Sequence, residues 1–127
     1  MGLIEVVSRN HFLKDLYPNG LVEDMLIGRL GFDCDNRFCV NFHTKQKPEK
    51  EIAKWGVWGE NYDVVVICLL GQWVRKVTIT NWEQLSFAPV IWSNYDGDTT
   101  FVARGEDWEV SLTFGDLVFQ ECRTYLA

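Results

Sequence analysis

The sequence predicts a mainly β fold, with a minor α contribution: an antiparallel meander of about eight strands forming a sandwich or a partly open barrel, preceded by a short N-terminal helix. Three observations carry this. Aromatic residues make up 14% of the chain and six are Trp, a bias that suits half-buried pleated surfaces. Short runs of β-branched and aromatic residues recur between Gly-, Asn- and Asp-bearing turn signals. The stretch Tyr62 to Trp82, YDVVVICLLGQWVRKVTITNW, holds two such runs. Val64 to Leu70 is apolar at odd and even positions alike, so a strand there needs both faces covered. Gly71-Gln72 then reads as a hairpin turn into a returning strand, with Val77 and Ile79 on one face and Lys76, Thr78 and Thr80 on the wet one.

The remaining elements follow in order. Ser8 to Tyr17 spaces Phe12, Leu13, Leu16 and Tyr17 as a short helix does, with Ser8 as N-cap, and Pro18-Asn19-Gly20 stops it. A long strand is expected from Leu21 to Phe32, bent or bulged at Gly28 or Gly31. After the turn Asp33 to Arg37, a strand from Phe38 to Thr44 alternates Phe38, Val40 and Phe42 with Cys39, Asn41 and His43. Lys45 to Asn61 is polar and long for an unstructured loop in a small domain, which predicts either a helical turn around Glu49 to Trp55 or a functional segment. Phe87 to Tyr95 is a strand that Pro89 demotes to an edge. Asp96-Gly97 turns it into Thr99 to Arg104. Gly105-Glu106-Asp107 leads to the alternating strand Trp108 to Phe114, and Gly115-Asp116 turns into Leu117 to Tyr125. Residues 1–127 read as a single β-rich domain.

Charge is unevenly placed. Residues 1 to 80 hold ten acids and ten bases, whereas residues 81 to 127 hold eight acids against Arg104 and Arg123; the difference, 8 − 2, is the whole net charge of −6. An acidic C-terminal third repels phosphate backbones, which argues against nucleic-acid binding, and suits a partner with a basic surface. The same acids also serve hairpin turns, where they keep strand edges solvated.

Catalytic and metal signatures are sparse. His11 and His43 lack patterned partners, and Cys39, Asn41 and His43, though on one strand face, are too far apart along it for a direct relay. Asp96-x-Asp98 resembles part of a calcium loop without its closing glutamate. The expectation is no catalytic residue, no metal site and no cofactor. Glu23 and Asp24 interest us only if one is buried near an arginine. Cys34, Cys39, Cys68 and Cys122 show no metal-type or redox-type pairing, and with no secretory signal a reduced cytoplasmic protein is expected, off the membrane. Cys34 and Cys39 flank one turn and would approach each other only in an oxidised protein.

The order of a polar Trp-Gly segment, then YDVVVI, then LLGQWVRKVTITNW, then acidic hairpins resembles the immunity-protein-50 family of bacterial polymorphic toxin systems over roughly residues 21 to 125. The resemblance implies a small protein that binds and neutralises a cognate toxin domain by occlusion, without chemistry of its own. The partner-facing candidates are the late acids Asp96, Asp98, Glu106, Asp107 and Asp116, which steer association, and the aromatics Trp55 and Trp58, which supply anchors or else cap one end of the β-core. A second reading from the residues is a small-molecule binder or enzyme whose aromatic β-core encloses a ligand. Homodimerisation through the Pro89-bearing strand or another open edge is a third.

Overall fold

Eight antiparallel strands divide into two four-stranded sheets in the computed structural model, which describes residues 1–127. The first sheet has the order β1-β2-β3-β8 and the second β4-β7-β6-β5. The strands are β1 (Met25–Phe32), β2 (Arg37–Thr44), β3 (Val64–Gln72), β4 (Lys76–Thr80), β5 (Val90–Tyr95), β6 (Asp98–Arg104), β7 (Glu109–Phe114) and β8 (Asp116–Tyr125). One seam between the sheets is stitched by a pair of backbone hydrogen bonds, Met25 N to Ala88 O at 2.9 Å and Ala88 N to Met25 O at 3.0 Å. No strand pairing joins β4 to β8, so the result is a sandwich linked at one corner.

β3 explains most of this arrangement. Val64 to Leu69 are all buried, as the unbroken apolar run requires, and β2 and β8 occupy both of its edges. A strand with both edges taken has no place for a hairpin partner. The chain therefore departs from the expected Gly71-Gln72 turn: β3 continues through both residues, paired to β2 and β8. Gly71 is in the strand because the Phe38 ring lies across it; a Cβ there would meet Phe38 Cε1 at 2.1 Å. Trp73 then adopts a left-handed conformation, φ 64°, and carries the chain into the second sheet. Gly115-Asp116 is likewise no hairpin, since β7 and β8 lie in different sheets.

Other elements agree more closely. Asp96 and Gly97 have φ of 53° and 86°, the left-handed pair that a two-residue hairpin turn demands and Gly tolerates best. β5 is an edge strand beginning just after Pro89. The register shift in β1 falls between Ile27 and Arg29, at Gly28. β1 starts at Met25, not at Leu21, because Val22 N and Glu23 N donate to Gln46 Oε1 instead of joining a ladder. The helical turn in the 45–61 segment is a 3₁₀ turn at Ala53–Trp55.

The N-terminal segment differs from expectation and is part of the core. It forms two helices, α1 (Leu3–Val6) and α2 (His11–Leu16). Ser8 caps neither; it exchanges hydrogen bonds with β8, Ser8 N to Leu117 O and Phe119 N to Ser8 O. Six of the 24 residues of the central apolar cluster come from this segment: Leu3, Ile4, Val7, Leu13, Leu16 and Tyr17. The rest of the interior is filled largely by aromatic rings, Phe42 packing on Trp92 at 5.7 Å and on Phe101 at 5.4 Å, and Phe38 on Phe114 at 5.3 Å.

Leu13→Ala is expected to lower unfolding stability by about 2–4 kcal/mol, because the fully buried side chain would leave a cavity. Urea titration followed by tryptophan fluorescence measures it. A change under about 1 kcal/mol would mean that the segment merely decorates the sandwich.

Candidate functional site: an acidic end and its groove

Four chain reversals meet where β3 and β7 finish. They are the β1–β2 turn, the β3–β4 crossing, the β5–β6 turn and the β7–β8 crossing; hydrogen bonds tie the first, second and fourth together, and the Arg75–Asp98 ion pair reaches the third. Trp73 N donates to Asn36 O at 2.8 Å, and Gly115 N donates to Gln72 O and Trp73 O at 3.1 Å. The Trp73 ring lies against Gly115, with the Arg75 guanidinium 6.0 Å from the ring centroid.

These reversals gather charge. Asp33, Asp35, Asp96, Asp98 and Asp116 stand at the turns or strand ends there, with Arg37, Arg75 and Lys76, and 5 − 3 leaves a net −2. Two cations are engaged locally: Arg37 bonds Asp35 at 2.7 Å and Arg75 lies 3.5 Å from Asp98. Asp33, Asp96 and Asp116 make no ion pair. Such exposed carboxylates act on a partner mainly by long-range attraction, which salt screens.

Beside this end a half-open groove of about 850 Å³ runs from the outer face of the first sheet over its edge. Arg29, Cys39, Leu70 and Val118 contribute from the sheet face, and Phe32, Asp33, Gln72 and Asp116 from the end. Phe32 and Trp73 are 43% and 48% exposed, an unusual state for rings of that size and one that suits contact with another surface.

The sequence candidates are thus divided. Asp96, Asp98 and Asp116 belong to this end, and of all seven only Asp116 lines the groove. Glu106 and Asp107 sit at the opposite end of the second sheet, in the β6–β7 turn, where Asp107 O accepts from Asn81 Nδ2. Trp55 and Trp58 also lie away from it, half-buried and stacked edge-on against Tyr62 at 5.8 and 5.3 Å, beside the start of β3. Trp55 in addition meets Phe12 of α2 at 5.9 Å. These two rings cap the β-core. The seven residues therefore do not form one patch, because alternate turns of an antiparallel sheet fall at opposite ends. Phe32, Trp73, Arg29 and Asp33 were not singled out from the sequence.

The same sheet face carries the Cys39, Asn41 and His43 row, of which Asn41 and His43 lie outside the groove. His43 Nδ1 is 2.8 Å from the Tyr125 hydroxyl, so its partner comes from β8 rather than from Cys39 or Asn41. The pair spans β3 above Val64 and Val66, which oppose Tyr125 and His43 in the ladder. Next to it Arg123 bonds Glu121, over Cys68. Burial pushes the His43 imidazole below its ordinary value of 6.5 and the Cys68 thiol up; on the inner side, burial pushes the Cys122 thiol up to about 12. Cys68 and Cys122 are thus held as protonated, poorly nucleophilic thiols. All four cysteines are free. Glu23 and Asp24 are exposed. No group of three or more His, Cys, Asp or Glu side chains is gathered as a metal site would need, and no helix is long and apolar enough to cross a membrane.

Comparison with protein-family models, with characterised proteins and with solved structures finds no match.

The lowered His43 value has a consequence for stability. The native state binds the His43 proton less readily than the unfolded chain does, so the contribution is present above 6.5 and is lost as pH falls below it. The urea midpoint of the wild type should drop between pH 7 and 5 by more than that of His43→Gln. Parallel curves would show that His43 is not desolvated in solution.

Proposed function

We propose that the chain is a binding protein that neutralises a cognate bacterial toxin domain by occlusion, working in the cytoplasm and without chemistry of its own. One observation carries the reading. Asp33, Asp96 and Asp116, three carboxylates without ion partners, converge at one end of the sandwich, where Trp73 is exposed and a groove is lined by exposed Phe32. Carboxylates of this kind accelerate encounter with a basic surface, and half-exposed aromatics provide the desolvated anchors that hold it. The resemblance of the 62–82 stretch to the immunity-protein-50 family supports the choice of a toxin as partner. A basic toxin surface, such as a nuclease uses toward its own substrate, has the matching charge.

A second reading, small-molecule binding, draws on the groove volume, which falls within the roughly 300–1,000 Å³ of ligand pockets. The space between the sheets is occupied by Phe38, Phe42, Phe101, Phe114 and Trp92, so a ligand would have to use the groove rather than the interior. An open trough bordered by exposed carboxylates and ring edges favours a macromolecular surface over an enclosed ligand.

The test is whether a toxin domain is encoded beside the gene and, where it is, co-expression with it followed by measurement of association. Survival of cells that make the toxin alone would remove the need for an inhibitor. The double variant Asp96→Asn/Asp116→Asn should slow association by about tenfold at low salt and flatten its salt dependence. Glu106→Gln/Asp107→Asn, at the far end, should leave it unchanged. If the second pair mattered and the first did not, the acidic end would not be the contact surface.

A further inference from the structure

Four strands form the edges of the two sheets, and the two that belong to the first sheet are tied to another segment. β8 is bridged to Ser8, and β1 joins the residue before Pro89, at the foot of β5, through the Met25–Ala88 hydrogen bonds. The edges of the second sheet, β4 and β5, are both open, but β5 begins directly after Pro89 whereas β4 has no proline beside it. β4 pairs only with β7, and no hydrogen bond from any other segment reaches residues 76 to 80. Its outward backbone groups are a ready template for another strand.

The side chains along this edge are not those of a protected one. In the ladder Val77 opposes Leu112 and Ile79 opposes Val110, both on the inward face, yet Val77 and Ile79 are 39% and 43% exposed. Exposed Trp73 and Trp82 stand before and after the strand. A flat apolar edge of this kind is normally blunted by charges or proline. Here only Lys76 is present, at one end.

We propose that β4 pairs antiparallel with β4 of a second copy, joining two second sheets into one continuous eight-stranded sheet across a twofold axis at Thr78. The sequence of the strand is self-complementary in that register. With Thr78 opposite its own copy, Val77 meets Ile79 of the other chain and Lys76 meets Thr80, so apolar residues face apolar ones and no like charges are opposed. A partner strand of a different protein would need none of this symmetry. The interface lies along a lateral edge, apart from the groove, and does not depend on the toxin-binding reading.

A contact built on five-residue strands is small, and dissociation on the order of tens of micromolar is expected. Sedimentation equilibrium of the full chain up to about 1 mM should show a monomer–dimer equilibrium. Ile79→Lys sets a charge against Val77 of the other copy at both ends of the pairing, and should weaken dimerisation by about tenfold or more while leaving the far-UV spectrum unchanged. Thr78→Cys in a Cys34→Ser background should cross-link with a short bismaleimide, whereas Thr100→Cys in the same background should not. The cross-link decides the matter even if Ile79→Lys fails to fold. A wild type that stays monomeric throughout the range overturns the proposal. So does a dimer that is indifferent to Ile79→Lys, or one that cross-links no better at position 78 than at position 100.

Discussion

Complete enclosure of β3 is the constraint on which the rest of the molecule depends. An apolar run from Val64 to Leu69 must be shielded on two faces and two edges. Toward the second sheet Val65, Ile67 and Leu69 join the central cluster. On the other face no further sheet exists, and the shield is built from polar side chains of the neighbouring strands: the His43–Tyr125 hydrogen bond and the Arg123–Glu121 pair. Polar groups cover apolar surface well only when their own hydrogen-bonding needs are met, and these meet them with each other. No buried side-chain nitrogen or oxygen lacks a partner.

Filling both edges of β3 has a second effect, on where the chain can go next. With β2 on one side and β8 on the other, the segment after Gln72 has to leave the sheet, and the segment after Phe114 has to return to it. Both crossings occur at the same end of the sandwich and are bonded to each other through Gly115. The β1–β2 and β5–β6 turns emerge there too. Acids that serve as ordinary turn residues in their own hairpins thereby become neighbours, and the groove opens between them. The candidate site is a by-product of the topology that buries β3.

The N-terminal twenty residues complete the enclosure from another direction. Their helices are too short to be stable alone, and their six core side chains are held by the sheets rather than by local propensity. Tyr17 illustrates the coupling. Its hydroxyl donates to Gln46 O, Gln46 in turn receives Val22 N and Glu23 N, and burial pushes the phenol up. One glutamine thus links the helix, the entry to β1 and the exit from β2.

Alternation along single strands was legible in the sequence. Phe38, Val40 and Phe42 face inward, as do Trp108, Val110, Leu112 and Phe114, because a period of two assigns faces without reference to partners. The Asp96-Gly97 turn was equally plain, since its backbone demands those residue types. Partner choice was not. Whether Gly71 turns the chain or sits under a phenyl ring depends on Phe38, which is 33 positions away in the sequence. Whether Ser8 caps a helix or bridges to Val118 depends on β8, at the far end of the chain. The division of Asp96, Asp98 and Asp116 from Glu106 and Asp107 likewise arose from strand pairing. Local periodicity determined which face of its strand each side chain takes, and long-range hydrogen bonding decided which faces are covered and which groups meet.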